Sequence, residues 1–178
     1  MVLSGVINKS LAAGLSGAGV PAVGLSGRDA ALIRVRLEPG LGRVGTPETV
    51  DPAPVRALWD AGLLPVVSPV SAGPGGESVN VNADEAALGL GLALLANTLI
   101  YLSDVDGVRV GEETVASLTA EEARRHIADG TIDGGMALKV RVALDAAAAG
   151  IPEVVIAGKA RLLGGFAGTR LRAGEAPA

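Results

Sequence analysis

Residues Val79 to Gly107 read VNVNADEAALGLGLALLANTLIYLSDVDG, and this stretch decides the fold. It opens as a short alternating segment and passes into a long helix of small residues. It then returns as an apolar strand and closes in an acidic glycine turn. A strand, a helix and a second strand in this order make the unit of an α/β sheet. The polar residues sit at the entry to the helix and at the carboxyl end of the strand. In open α/β sheets those are the places where ligands bind.

Working outward, the same alternation continues on both sides. Leu3, Ile7, Leu11 and Leu15 recur every fourth residue, which predicts a helix over 1–16 closed by Gly17 and Gly19. Nothing in front of that helix can cap it, so the chain is expected to begin inside a longer one. Strands are predicted at 20–25, 30–37 and 64–69, with a brief one at 43–45. Asp51-Pro52 starts a helix reaching about Ala61, and 71–77 is a glycine-rich loop. Downstream, strands are predicted at 99–103, 108–110, 152–157 and 169–171. Helices open after Leu118-Thr119, with Glu121-Glu122 in the first turn, and at Met136, and a turn covers 131–135. The expected fold is α/β, one continuous, mainly parallel open sheet sandwiched by helices with right-handed crossovers. A division into 1–78 and 79–178 is expected.

Composition narrows the function. Apolar residues make up 49% and aromatics 2%, so the core must be built from Ala, Val, Leu and Ile. A net charge of −4 argues against nucleic acid as the main partner. With no Cys and a single His, His126, neither a thiolate nor a multi-histidine metal site is available, and no metal ligands are assigned. No signal-like or membrane-length apolar run is present, which makes a cytoplasmic chain the expectation.

Three groups of residues carry chemistry. Asn80, Asn82 and Asp84 alternate, so on an extended chain they share a side. They read either as a strand end capping a helix or as a polar pocket whose amides take an anion while Asp84 orients a cation. Asp104 and Asp106 close the strand at Ser103, either as an Asx turn or as a nucleotide contact. The calcium-loop reading of this segment fails, because its fifth and twelfth positions would be Val108 and Val115. No phosphate-loop or dinucleotide fingerprint exists, since Gly89 and Gly91 lie inside a helix. Lys139 shares a helix stripe with Gly135, Val142, Ala143 and Ala146, the packed side. An ammonium there must snorkel out or face an anion, and the helix start at Gly134-Gly135 offers free N–H groups nearby. Lys139, Asp84 and Asp104 are expected to converge on one anionic pocket.

At these residues the chain resembles the amino-acid kinase family, and within it the kinases of N-acetyl-L-glutamate. The segments that match are Asn8-Lys9, 22–29 (AVGLSGRD), 64–69 (LPVVSP), 79–84 (VNVNAD), 102–108 (LSDVDGV), Gly134-Gly135-Met136 and Lys139-Val140. They run in unbroken order over about residues 1–157. The resemblance implies an amino-acid/carbamate kinase-like fold and ATP-dependent, Mg²⁺-assisted phosphorylation of the side-chain carboxylate of N-acetyl-L-glutamate, a step of arginine biosynthesis. It implies catalytic roles for Lys139, which would stabilise the transferring phosphoryl group, and Asp84, which would orient catalytic lysines. It places Asn80 and Asn82 at the substrate. It places Ser103, Asp104, Val105, Asp106, Gly107, Val108, Arg109, Thr131, Ile132, Asp133, Gly135 and Met136 at the nucleotide. Residues 1–78 would form a partial substrate-binding and dimerisation lobe and 79–178 the nucleotide-binding lobe, within a homodimer or larger homo-oligomer.

The family's first Lys-x-Gly-Gly segment, its second Gly-Gly loop and a following substrate-holding Arg are not in this sequence, and the region 159–168 is short for the family. Three alternatives therefore stand beside the kinase reading. One is a relative acting on a carrier-linked aminoadipate or glutamate. Another is a truncated paralogue serving as a binding module. The last is a start codon lying upstream of Met1.

Overall fold

The structure is a computed structural model that describes residues 2–158 and 168–172. The chain divides into two compact units, 1–93 and 94–178.

Unit 1 begins with a π-helical segment, Val2–Ile7, that runs into α1 (Asn8–Gly17). Asn8 anchors this end, donating its side-chain amide to the Val66 carbonyl at 2.7 Å. The strands are β1 (Ala22–Gly27), β2 (Ile33–Leu37), β3 (Gly45–Val50), β4 (Leu64–Ala72) and β5 (Ser78–Asn80), with α2 (Ala53–Asp60) ahead of β4. Their order is β1-β4-β2-β3, and β5 folds back on β4. β1 and β4 run parallel from Ala22 opposite Leu64. β2 meets β4 in parallel at Arg34 and Ala72, while the β2–β3 and β4–β5 pairs are antiparallel. Leu32, Ile33, Val35, Val55, Val79 and Val81 form the buried core. α3 (Ala83–Leu94) then carries the chain to the division.

Unit 2 holds β6 (Thr98–Ser103), β7 (Arg109–Val110), β8 (Glu113–Thr114), β9 (Ser117–Thr119), β10 (Glu153–Gly158) and β11 (Thr169–Arg172). Between β9 and β10 lie α4 (Ala120–Ala128) and α5 (Gly134–Ala148). The sheet order is β6-β10-β11-β9. β6 and β10 are parallel, as are β11 and β9, and β10 and β11 are antiparallel. β7 and β8 form a separate two-stranded ribbon. The apolar run Val154–Ala157 is fully buried, as parallel strands covered on both faces require. Val140, Ala143 and Ala146 of α5 are buried, and small residues there let the helix lie close to the strands.

The α/β class with mainly parallel strands and flanking helices is the architecture observed, and every long element expected from periodicity is present. Four details differ. Among the described residues the strands form three sheets, not one continuous sheet. β2 starts later than predicted because Asp29 accepts from the Ser26 N–H and hydroxyl and winds Asp29–Ala31 into a 3-10 turn. The strand predicted at 43–45 instead runs from Gly45 to Val50, paired to β2. β4 extends to Ala72 because β5 supplies ladder partners, which shrinks the loop. Met1 and the short region from Lys159 lie outside the described residues.

Candidate functional site

The chemistry of unit 2 gathers at the carboxyl end of β6. A cavity of about 450 Å³ opens there. Ser103, Asp104, Val105, Gly107 and Arg109 form one wall. The other comes from the α4–α5 connection and the first turns of α5, namely Thr131, Ile132, Asp133, Gly135, Met136 and Lys139.

The first wall is fixed by close backbone approach. Gly158 ends β10 opposite Ser103 of β6. A Cβ on Gly158 would stand 2.7 Å from Asp106 Oδ1 and 2.9 Å from Asp106 Cα, so the acidic turn can lie against the strand end only over a glycine. Thr169, fully buried, ties the far side of the turn. Its hydroxyl accepts from the Val108 N–H at 2.8 Å and donates to the Val115 carbonyl at 2.6 Å. Ser103 donates to Asp104 Oδ1 at 3.2 Å. Arg109, exposed, donates to the Glu112 carbonyl at 3.3 Å.

The second wall hangs on α4. Thr119 and Glu122 make a reciprocal capping box that starts this helix. At its other end Asp129 Oδ1 accepts from the Thr131 N–H at 2.9 Å. Hydrogen bonding from Thr131 holds the Asp129 carboxyl below its ordinary range. Ile132 is buried and its N–H reaches the His126 carbonyl at 2.9 Å, so the connection is pinned. α5 then begins at Asp133, which makes no side-chain cap, and Gly134 adopts φ +51°. The N–H groups of the first turn have no acceptor within the helix and carry the positive end of its dipole. One turn further, Lys139 is half-buried with Nζ 5.6 Å from the ring centroid of Tyr101. A helix start, a lysine and an arginine around an open cavity suit a polyphosphate. Asp104 supplies a carboxylate of the kind that shares Mg²⁺ with phosphate oxygens, and among the described residues no group of three or more acidic, His or Cys side chains gathers to hold a metal.

Of the residues predicted at the nucleotide, Asp106 and Val108 do not line the cavity. Asp106 lies against Gly158, and Val108 is fully buried and contributes its backbone N–H to Thr169. Asp104 and Lys139 do share the cavity.

Asn80, Asn82 and Asp84 belong to unit 1. Asn80 is exposed at the end of β5, its N–H bonded to the Arg43 carbonyl at 2.8 Å. Asn82 caps α3, with its Oδ1 accepting from the Asp84 N–H at 2.9 Å and, more loosely, from Glu85 at 3.4 Å. The extended alternation therefore ends at Asn82, and Asp84 sits half-buried in the first helical turn. Its neighbour Glu85 is held above the ordinary carboxylate range, first by burial and then by the charge of Glu38. In unit 1 a cavity of about 360 Å³ is lined by Lys9, Arg28 and Asp29 among others. Sequence reasoning had included Arg28-Asp29 in a segment resembling the family without giving them a role at the site, and had not singled out Tyr101, Thr169 or Gly158. A lone Tyr in an aliphatic strand and a Gly closing an apolar strand were the available signals.

Comparison with known proteins gives the family and the fold. The chain matches the model of the Amino acid kinase family over residues 1–158. It is 46% identical to an acetylglutamate kinase of Rubrobacter xylanophilus over 178 residues, covering 97% of this chain and 70% of the relative. It is 48% identical to an acetylglutamate kinase of Ruegeria pomeroyi over 158 residues, covering 88% of this chain but 55% of the relative. In fold it superposes on the crystal structure of smu.665 from Streptococcus mutans with a TM-score of 0.86 at 23% identity, over 96% of this chain and 69% of that one. The chain thus spans only part of the length of the proteins it matches. Over nearly all of its own length, the chain belongs to the amino acid kinase family.

Proposed function

We propose that this chain takes part in ATP-dependent phosphorylation of the side-chain carboxylate of N-acetyl-L-glutamate, a step of arginine biosynthesis. The observation that carries the reading is the cavity in which Asp104, Arg109, the first turn of α5 and Lys139 come together. Support also comes from the relatives at 46% and 48% identity, both named acetylglutamate kinases.

Phosphoryl transfer needs positioning and charge neutralisation more than covalent chemistry. In this reading the first-turn N–H groups of α5 and the Lys139 ammonium bind phosphate oxygens of ATP, and Lys139 stabilises the charge that develops on the transferring phosphoryl group. Asp104 would hold Mg²⁺, which supplies neutralisation of the phosphate chain when bound. Asn80 binds the acyl amino acid, and Asp84 orients the cationic groups. Asn82, engaged as a helix cap through its oxygen, offers the substrate only its amide N–H groups. A reaction of ATP with a biosynthetic intermediate fits a cytoplasmic site. Association into a homodimer is part of the same reading. Val2, Leu3, Val6, Ile7 and Leu11 all stand exposed on the first helical segment, an apolar surface that a partner would cover.

Calorimetry with ATP and Mg²⁺ tests the nucleotide site, and phosphoryl transfer to free N-acetyl-L-glutamate tests the substrate. Well-folded protein that binds no nucleotide would sink the proposal. Turnover only with a carrier-linked acidic amino acid would keep the kinase and replace its substrate.

A further inference from the structure

The chain carries three lysines, Lys9, Lys139 and Lys159, and one tyrosine, Tyr101. Unit 2 brings the only Tyr to one of those lysines. The ring centroid lies 5.6 Å from Lys139 Nζ, within the range at which an aromatic face attracts an ammonium. We propose that Tyr101 is a positioning residue for Lys139, its ring face holding the ammonium toward the cavity. This inference rests on the phosphate-binding role given to Lys139 above.

The placement follows from the strands. Tyr101 lies on β6, opposite Ile156 of β10, and only 2% of it is exposed. It stands two residues before Ser103 and three before Asp104, both of which line the cavity, while Tyr101 itself does not. α5 packs against β6 and β10. The ring therefore belongs to the packed layer and the lysine to the cavity wall. A lysine side chain has four rotatable bonds and a compact, strongly hydrated charge, and loses much rotamer freedom when fixed. An aromatic face restricts it without accepting its hydrogen bonds. An aliphatic side chain of similar size would fill the layer equally well and exert no such pull. This is a reason for an aromatic ring in a strand otherwise made of Thr, Leu, Ile and Ser.

The experiment uses the full chain with Tyr101→Phe, Tyr101→Leu and Tyr101→Met. The ε-methylene protons of Lys139, assigned by their loss in Lys139→Arg, report ring proximity through their upfield shift. ATP affinity is measured by calorimetry on the same samples. The shift should persist in Tyr101→Phe and vanish in Tyr101→Leu and Tyr101→Met. ATP binding should weaken about three- to fivefold in the two aliphatic variants and be restored by Phe, the factor a partly exposed cation–π contact supplies. An unshifted Lys139 in the parent protein overturns the proposal, and so does equal ATP affinity in all variants. Two aliphatic variants guard against one failing to fold. If the parent itself binds no ATP, the kinase reading falls separately. The Lys139 resonance then decides positioning alone, supporting it if Phe keeps the shift and Leu loses it, and overturning it otherwise.

Discussion

Lys139 and Gly158 make opposite demands at the cavity, one for a charge and one for the absence of a side chain. Removing the charge by Lys139→Met should lower phosphoryl-transfer turnover by about 10²–10³-fold, the usual loss for one transition-state contact, with far-UV circular dichroism unchanged. Retained turnover would separate this lysine from the reaction. Gly158→Ala would drive a methyl group against Asp106, and it should destabilise the fold by about 1–3 kcal/mol and weaken ATP binding. Thermal unfolding read beside calorimetry checks both effects. Residues of this kind differ in how far a sequence shows them. The packed side of Lys139 follows from helical period alone. The cap at Asn82 is also local, and it resolves the alternation of Asn80, Asn82 and Asp84 toward the capping reading for one of the three. Tyr101, Gly158 and Thr169 owe their roles to residues far away in the chain, so the local pattern marks the first two as unusual in their strands and does not show what any of the three does.

Elements follow the same division between local and distant causes. α4 starts where Thr119 and Glu122 predict, because a capping box is complete within four residues. Thr119→Ala should cost about 1 kcal/mol of stability, measured by urea unfolding. Hydrogen bonds from Thr119 hold the Glu122 carboxyl below its ordinary value of 4.5. Its lowered value means that this stabilisation is complete above about pH 4.5 and is lost as pH falls through the folded-state value. The gap between parent and Thr119→Ala should therefore narrow in acid. Glu85 has the reverse sign. Its carboxyl is raised by burial and by Glu38, so the folded state loses stability as pH climbs above the ordinary value. Glu85→Gln should raise the melting temperature near neutral pH and give no gain below about pH 4. Strand limits were less legible than helix starts. β3 and β4 are set by pairing with the strand next to each in the chain and β9 by pairing with the distant β11, and periodicity shows neither kind of pairing.

At the scale of the molecule, the alternation of strands and helices was enough to give an α/β class, and the order of motifs was enough to point to the family. The number of sheets was not legible, since periodicity says which residues are strands and not which strands share a ladder. The exposed apolar side chains from Val2 to Leu11 lead to a prediction about assembly: light scattering should report a dimer or larger oligomer, and Leu3→Glu with Ile7→Glu should shift it toward monomer. A monomeric parent would remove that part of the proposal. Every described ladder closes within its own unit, and one helix alone, α3, runs across the division. Directly after it, Leu95 is 80% exposed and holds a left-handed φ of +56°. A backbone cleavage there would sever no rung of any described sheet, which makes this bend the natural seam for splitting the gene into two coexpressed fragments.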